Sequence, residues 1–368
     1  METSTAELNI KSADGEVNAQ NTGGMLISVL ESLYSPSVYI INIASVNRTV
    51  WNKVAANINE MTATFRWGRV RGSGKTDWSD TRNIQIKKLQ LRNSSGFLTA
   101  KLEATDMSFM LRQIPQRVFK EKTISEMVKQ IATENGLDSD VKVSNNVKTS
   151  LIQAGMSDYE FLSDVLTARA RCHVPILFYM KNGNVLVFKE RNRASPTLTY
   201  AWQPKDKKTI PLNEVVSILT LDDSNFGTKG VTFDPLKRQT RPYSFEIDAN
   251  DSSSLRESQF SGANAPSTLG SFPAVIDSIV VSNLEEAPDC TVKQRVSWNP
   301  SLGMQRVVLH SYMLPEAQIG TTVQLNTETE QGEKTFDTGV YLMYAVQHEI
   351  NVGGAVYTNT FLERRGSE

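Results

Sequence analysis

The chain has 368 residues, with 39 Lys and Arg against 40 Asp and Glu for a formal net charge of −1, and 39% of it is hydrophobic. That length and composition point to two or three soluble domains with ordinary cores, and the even charge balance argues against a surface built to hold a nucleic-acid backbone. With a mean hydropathy of −0.32, no stretch reaches the ~20 apolar residues of a membrane-spanning helix, and Met1-Glu-Thr-Ser-Thr-Ala-Glu7 lacks the basic and apolar regions of a secretory signal.

Residues 1–24 are polar, rich in Ser, Thr, Asn and Gly, and are expected to form a flexible arm or a strand lent to a neighbouring subunit. From Met25 to Ser108 the pattern is that of strands. Val38 to Ala44 is a β-branched apolar run, and Met61 to Gly68 alternates, with Met61, Ala63, Phe65 and Trp67 on one face. In Asn83 to Arg92 the alternation of Ile84 and Ile86 slips by one residue before Leu89 and Leu91, as a β-bulge requires. Asn93-Ser-Ser-Gly96 is a turn, and Phe97 to Ala104 is the returning strand. A first barrel over 25–113 is the resulting expectation.

The middle of the chain changes period. Thr123-Ile-Ser-Glu126 and Ser157-Asp-Tyr-Glu160 are capping boxes, each opening an amphipathic helix. Gly136-Leu137 stops the first helix. Ile176 to Met180 and Val185 to Phe188 flank Asn182-Gly183, the strongest short hairpin signal, because a type I′ turn needs two positive φ angles. Residues 114–200 are thus expected to be an α+β unit, followed by linking strands over 201–249 that include Val215–Leu221 and Tyr243–Ile247. Residues 250–272 read as a linker rich in Ser, Asn and Asp. Strands resume at Ala274–Val281, Thr291–Ser297, Thr322–Asn326, Val340–His348 and Ala355–Leu362, and predict a second barrel over 273–368. The fold class is mainly β, two tube-type barrels flanking a small α+β unit.

Two segments resemble the baseplate hub family of contractile phage tails, which includes the late control protein D group and the hub portion of type VI secretion spikes. One is Thr123 to Phe188, centred on Gln153-Ala-Gly-Met-Ser-Asp-Tyr-Glu-Phe-Leu162. The other is Gly339 to His348, followed by a turn and Tyr357-Thr-Asn-Thr-Phe-Leu-Glu-Arg364. The resemblance implies a homotrimeric ring whose subunits each supply two tube-like barrels, matching a hexameric tail tube. It also implies as partners the tail tube protein, a central spike, other baseplate (wedge) proteins, and DNA that passes through the lumen without specific binding. The sequence reaches Glu368 without a glycine-periodic repeat, so the spike is expected to be a separate protein. The expected location is the tail baseplate of a virion assembled in the host cytoplasm.

Chemistry is weakly signalled, and no catalytic, cofactor-binding or metal-binding residue is expected. Arg71-Gly-Ser-Gly-Lys-Thr76 resembles the end of a P-loop, but Arg69 stands where the loop's first glycine belongs, and Asp77-Trp-Ser-Asp80 does not open an apolar helix. Cys172 and Cys290 have no ligand spacing and read as buried thiols; Cys172-His173 would diverge on a strand. Asp222-Asp223 and Glu285-Glu286 read as solvated acids near turns rather than a glycosidase pair. His310 and His348 lie in strand-like apolar runs and read as structural, and Trp51, Trp67, Trp78, Trp202 and Trp298 as core or interface anchors. The competing expectation is a tail-borne enzyme that degrades peptidoglycan.

Overall fold

The computed structural model describes residues 3–12, 15–20, 24–33, 35–44, 46–56, 62–94, 97–144, 146–170, 176–190, 196–202, 204, 208–219, 228–234, 239–245, 276–281, 305–312, 314, 315, 317–327, 338–354 and 356–364. Its first barrel is written by period-two alternation. The strands are β1 (Thr3–Ser12), β2 (Gly15–Gln20), β3 (Met25–Ser32), β4 (Val38–Ile43), β5 (Thr62–Val70), β6 (Thr76–Trp78), β7 (Arg82–Ser94) and β8 (Phe97–Thr105). They hydrogen-bond in the order β3-β4-β8-β7-β5-β1-β2, with β6 on β5. Ala6, Leu8 and Ile10 from β1, Met25, Ile27 and Val29 from β3, and Ala63, Phe65 and Trp67 from β5 all point into one core. The bulge foreseen in β7 lies between Ile86 and Lys88.

Two expectations for this region are corrected. The polar N-terminal segment is not an arm: β1 runs antiparallel to β5 from Thr3↔Val70 to Lys11↔Thr62, and β2 folds back on β1. Its overall polarity masks the strict alternation Ala6-Glu7-Leu8-Asn9-Ile10-Lys11, and burying three apolar side chains outweighs the polar average. Arg48–Ala56, expected within a run of strands, is a helix, α1. The Asn47 side chain accepts the Thr49 amide at 3.0 Å as its cap, and Trp51 is buried beneath it in the barrel core.

The chain then turns through a short 3₁₀ segment, Met107–Arg112, capped by Asp106, into the α+β unit. This comprises β9 (Arg117–Lys122), α2 (Ile124–Glu134), β10 (Asp138–Lys142), β11 (Thr149–Gln153), a third helix α3 over 158–170, β12 (Ile176–Lys181) and β13 (Val185–Glu190). Both capping boxes form as read: the Thr123 and Ser157 hydroxyls accept the Glu126 and Glu160 amides, while those carboxylates reach back. Within α3 the turn over Phe161–Leu166 widens to π geometry, where the Thr167 hydroxyl donates to the Leu162 carbonyl. Among the described residues β9 pairs only with β11, while β12, β13 and β10 form a separate sheet.

The apolar runs of the β12–β13 hairpin are buried on both faces. Ile176, Phe178, Met180, Leu186 and Phe188 pack under the helices, and Leu177, Tyr179 and Val187 pack on the second barrel. Asn182 and Gly183 take the expected positive φ angles of 53° and 81°. The turn docks on the first barrel, where Asn83 N–H donates to the Asn182 carbonyl at 3.0 Å and Met107 N–H to the Gly183 carbonyl at 2.7 Å. A Cβ on Gly183 would lie 2.0 Å from the Asn83 carbonyl oxygen. Gly183→Ala is therefore expected to cost about 2 kcal/mol, from the left-handed backbone plus the clash, read as a melting temperature several degrees lower by calorimetry; an unchanged value would refute the docking.

The second barrel uses β14 (Leu198–Ala201), β15 (Ile210–Pro211), β16 (Glu214–Leu219), β20 (Gln305–Tyr312), β21 (Thr322–Asn326), β22 (Gly339–Asn351) and β23 (Val356–Arg364). The intervening β17 (Thr228–Asp234), β18 (Gln239–Phe245) and β19 (Ile276–Val281) form a sheet of their own, so β19 does not join the barrel in which it was expected. Conversely β14 and β16, expected as part of the α+β unit and as a linking strand, are barrel staves: β14 pairs with β21 and β16 with β20. The ring closes where Leu212 N–H donates to Ala201 and Asn213 N–H to His310, at 3.1 and 2.9 Å. The strand expected at Thr291–Ser297 and the linker at 250–272 lie outside the described residues.

β22 makes one continuous sheet of the two barrels. Along one edge it pairs with β23; along the other it pairs first with β21, through Gly339 to Leu342, and then with β3, through Ala345 to Asn351. Its first half contributes Tyr341, Met343 and Val346 to the second core, and its end contributes Ile350 to the first. The protein is mainly β, with the α+β unit inserted between the barrels in sequence.

Candidate functional site

The Arg71–Thr76 segment is the tip of the β5–β6 hairpin. Gly74, at φ 81°, makes the turn as its N–H donates to Arg71, and Asp77 on the returning strand pairs with Arg71 and, at 3.7 Å, with Arg69. A strand follows, not a helix, so no helix N-terminus faces the loop to receive phosphate. His310 sits half-buried on β20, its Nδ1 2.6 Å from Asn359 Oδ1 and its Nε2 3.8 Å from Glu214. Trp51 and Trp67 are core residues, and Trp202 is exposed. Trp78 carries the Arg66 guanidinium over its ring at 4.3 Å. Cys172, His173, Asp222, Asp223, Glu285, Glu286, Cys290 and Trp298 lie outside the described residues. Among the described residues no group of His, Cys, Asp and Glu could hold a metal ion, and no helix is long and apolar enough to cross a membrane.

The strongest electrostatic feature is one that motif reasoning missed. Glu31 and Arg82 occupy inward positions on β3 and β7, each in phase with buried aliphatics. Arg82 Nε and Nη2 donate to the two Glu31 carboxylate oxygens at 3.0 and 3.2 Å, and Nη1 donates to the Asp80 carbonyl at 2.6 Å. The Tyr39 hydroxyl donates to Glu31 at 3.1 Å, and the Arg82 guanidinium lies 4.4 Å above the Trp67 ring. Burial by itself would raise the Glu31 carboxyl, but the Arg82 charge and hydrogen bonds more than offset this and hold it below its usual range. Burial drives the Tyr39 phenol upward, and the Glu31 charge adds to that. His348 completes the cluster from β22, with its ring 4.8 Å from Trp67 and its Nδ1 3.0 Å from the Thr358 hydroxyl. Desolvation pushes its pKa down to about 3, so it is neutral at ordinary pH. The signal available in the sequence was a charged residue standing in the apolar phase of two alternating strands.

A second network accounts for the Gln153–Leu162 segment. Asp158, fully buried, accepts from Arg117 Nη2 at 3.1 Å, Gln153 Nε2 at 2.8 Å and Asn135 Nδ2 at 2.8 Å, with a further contact from Arg117 Nη1. The Arg117 Nε pairs with Glu134 at 2.7 Å. One carboxylate thus ties the start of α3 to β9, β11 and the end of α2. These residues are structural staples, and none is aimed at solvent as a reagent.

What the surface offers is apolar faces. On the outer side of the β9–β11 ribbon, Val118 stands opposite Ile152, and these are 60% and 70% exposed, with Ile114 at 66%. On the outer face of β20, β23, β22, β3 and β4, Tyr312 is opposite Tyr357 and Leu30 opposite Val38, all of them exposed along with Leu26. Contiguous exposed apolar side chains of this kind mark contact surfaces.

The architecture is that of a mainly β chain of two barrels sharing one sheet, with an α+β insertion. The comparisons agree on that fold. A tail protein from Neisseria meningitidis MC58 superposes with a TM-score of 0.63 at 12% identity, over 98% of this chain and 96% of that one. The 43 kDa tail protein of prophage MuSo2 from Shewanella oneidensis gives 0.58 at 10% identity, over 97% and 98%. The PdpA–VgrG complex of Francisella gives 0.58 at 11% identity, over all of this chain but 54% of the matched one. At such identities the likeness is one of fold. A family model described as the Alg8 N-terminal domain matches residues 81–204, about a third of the chain, from the last two strands of the first barrel to β14. No curated protein matches the sequence significantly.

Proposed function

We propose that this protein is a structural hub of a phage-type contractile tail, three copies of which form a ring that adapts a hexameric tube to a central spike. The observation that carries the reading is β22, which fuses two barrels into one sheet. A subunit with two tube-like barrels presents six of them around a threefold axis, and symmetry matching then needs no second protein. The fold likeness to tail proteins over nearly the whole chain supports this. Its partners would be the tube protein, a separate spike protein and other baseplate proteins, with DNA passing through the lumen; the net charge of −1 suits a wall that must not retain phosphates. The work is geometric, not catalytic. The fold likeness to the E. coli c3393 protein, described as a component of the type VI secretion system, supports a second setting for the same role, a type VI or related injection machine.

Mass photometry of the purified chain is expected to show a trimer, and class averages in electron microscopy a ring with pseudo-sixfold features. A monomer at every concentration, or one that releases muropeptides from peptidoglycan, would overturn the proposal in favour of an enzyme.

A further inference from the structure

We infer that the β9–β11 ribbon of one copy seats on the outer face of β23, β22 and β3 of the next copy. The inference rests on the ring proposed above and names the surfaces that close it. A ring with an odd number of subunits cannot be built from one self-complementary patch; each copy must present two different surfaces that fit each other. The chain carries two such faces, on different sheets.

The first is unusual for so small an element. Among the described residues, β9 and β11 pair as strands only with each other. Their inner face, Phe119 and Leu151, packs under the helices. The outer face would then be expected to be polar, yet it carries Val118 and Ile152 side by side. Val118 and Ile152 are 60% and 70% exposed, and Ile114, in the segment leading into β9 and outside the strand, is 66% exposed. The charged residue standing outward in line with Val118 is Lys120, also exposed.

The second face is larger and of opposite sign. Register puts Tyr312, Tyr357, Glu349, Ser28 and Ile40 in one row across five strands. The neighbouring row runs Glu214, His310, Asn359, Gln347, Leu30 and Val38. Neither row contains Lys or Arg, and Glu349 stands exposed between Tyr357 and the β3 aliphatics. The ribbon is thus aliphatic around a cation, and the sheet face is aromatic and aliphatic around a carboxylate. Placing Lys120 against Glu349 lets Val118 and Ile152 cover Leu30 and Tyr357, which removes apolar surface from water on both copies.

The test is a charge exchange at two exposed positions, read by sedimentation of the full chain across a concentration series. Lys120→Glu and Glu349→Lys should each raise the concentration at which the trimer half-dissociates by about tenfold, because each sets like charges together, and the double variant should recover most of that loss. Val118→Ser with Ile152→Ser should weaken the trimer similarly, while Phe97→Ser, at an exposed site elsewhere, should not. A wild-type trimer whose stability ignores these changes, or a double variant no better than the singles, would overturn these surfaces and leave the ring intact. A wild-type chain that never associates would overturn the ring, and this inference with it.

Discussion

Replacing Arg82 with alanine is expected to destabilise the protein by about 3–5 kcal/mol, the loss found when one partner of a buried ion pair is removed. Arg82 and Glu31 are almost wholly withdrawn from solvent, with side chains 1% and 9% exposed. The truncation would leave the Glu31 carboxylate in the first barrel's core with the Tyr39 hydroxyl as its one hydrogen-bonding side-chain partner among the described residues. It would also uncover the Trp67 face and remove the guanidinium donor to the Asp80 carbonyl, leaving that oxygen the Ser79 hydroxyl. Urea denaturation followed by tryptophan fluorescence measures the loss. If the unfolding free energy falls by less than ~1 kcal/mol, the pair is not the brace described here. Changing both residues to leucine should recover much of the stability, because a core without charges has no ion to strand.

Acid should weaken the same region through His348. Its folded pKa of about 3 lies below the ordinary value near 6.5. Between those limits the unfolded chain binds a proton that the folded chain refuses, so stability is complete above pH 6.5 and falls as pH drops towards 3. The expected loss is about 2 kcal/mol at pH 5 and on the order of 4 kcal/mol at pH 3.5. Glu31 adds a loss of the same sign only further down, as pH falls through a folded pKa held below the usual carboxylate range. Urea midpoints at pH 7.5 and 5 therefore isolate the histidine. His348→Gln should flatten the difference between them; an equal slope in that variant would assign the acid sensitivity elsewhere. Hydrogen exchange should show the opening at β22 and β3, the strands that join the barrels.

These two expectations concern residues whose roles were only partly legible. The sequence places His348 in an apolar strand and so reads it as a satisfied structural residue; the fold buries it with Nδ1 on the Thr358 hydroxyl, while Nε2 has no hydrogen-bond partner among the described residues. Glu31 and Arg82 are each visible as a charge in the wrong phase of an alternating strand, but nothing in the spacing says that they meet. The surface faces were less legible still. The strands β9 and β11 were not foreseen, and only the fold shows Val118 and Ile152 on a ribbon with one covered side and one open one.

What the sequence determined by itself is what depends on a few neighbouring residues. The two capping boxes, the Asn182-Gly183 turn with its β12–β13 hairpin, the β7 bulge and the inward face of β5 all follow from spacings of two to four positions, where backbone sterics and local hydrogen bonds decide. The tertiary structure alone decided the pairings. β1 lies against β5, β19 leaves the barrel in which its position in the chain would place it, and β22 serves both barrels at once. An alternating strand fits any partner with the same period. Which partner it takes is settled by how all the strands together bury their apolar faces and close their backbone hydrogen bonds. That collective balance turns two local barrel patterns into one continuous sheet.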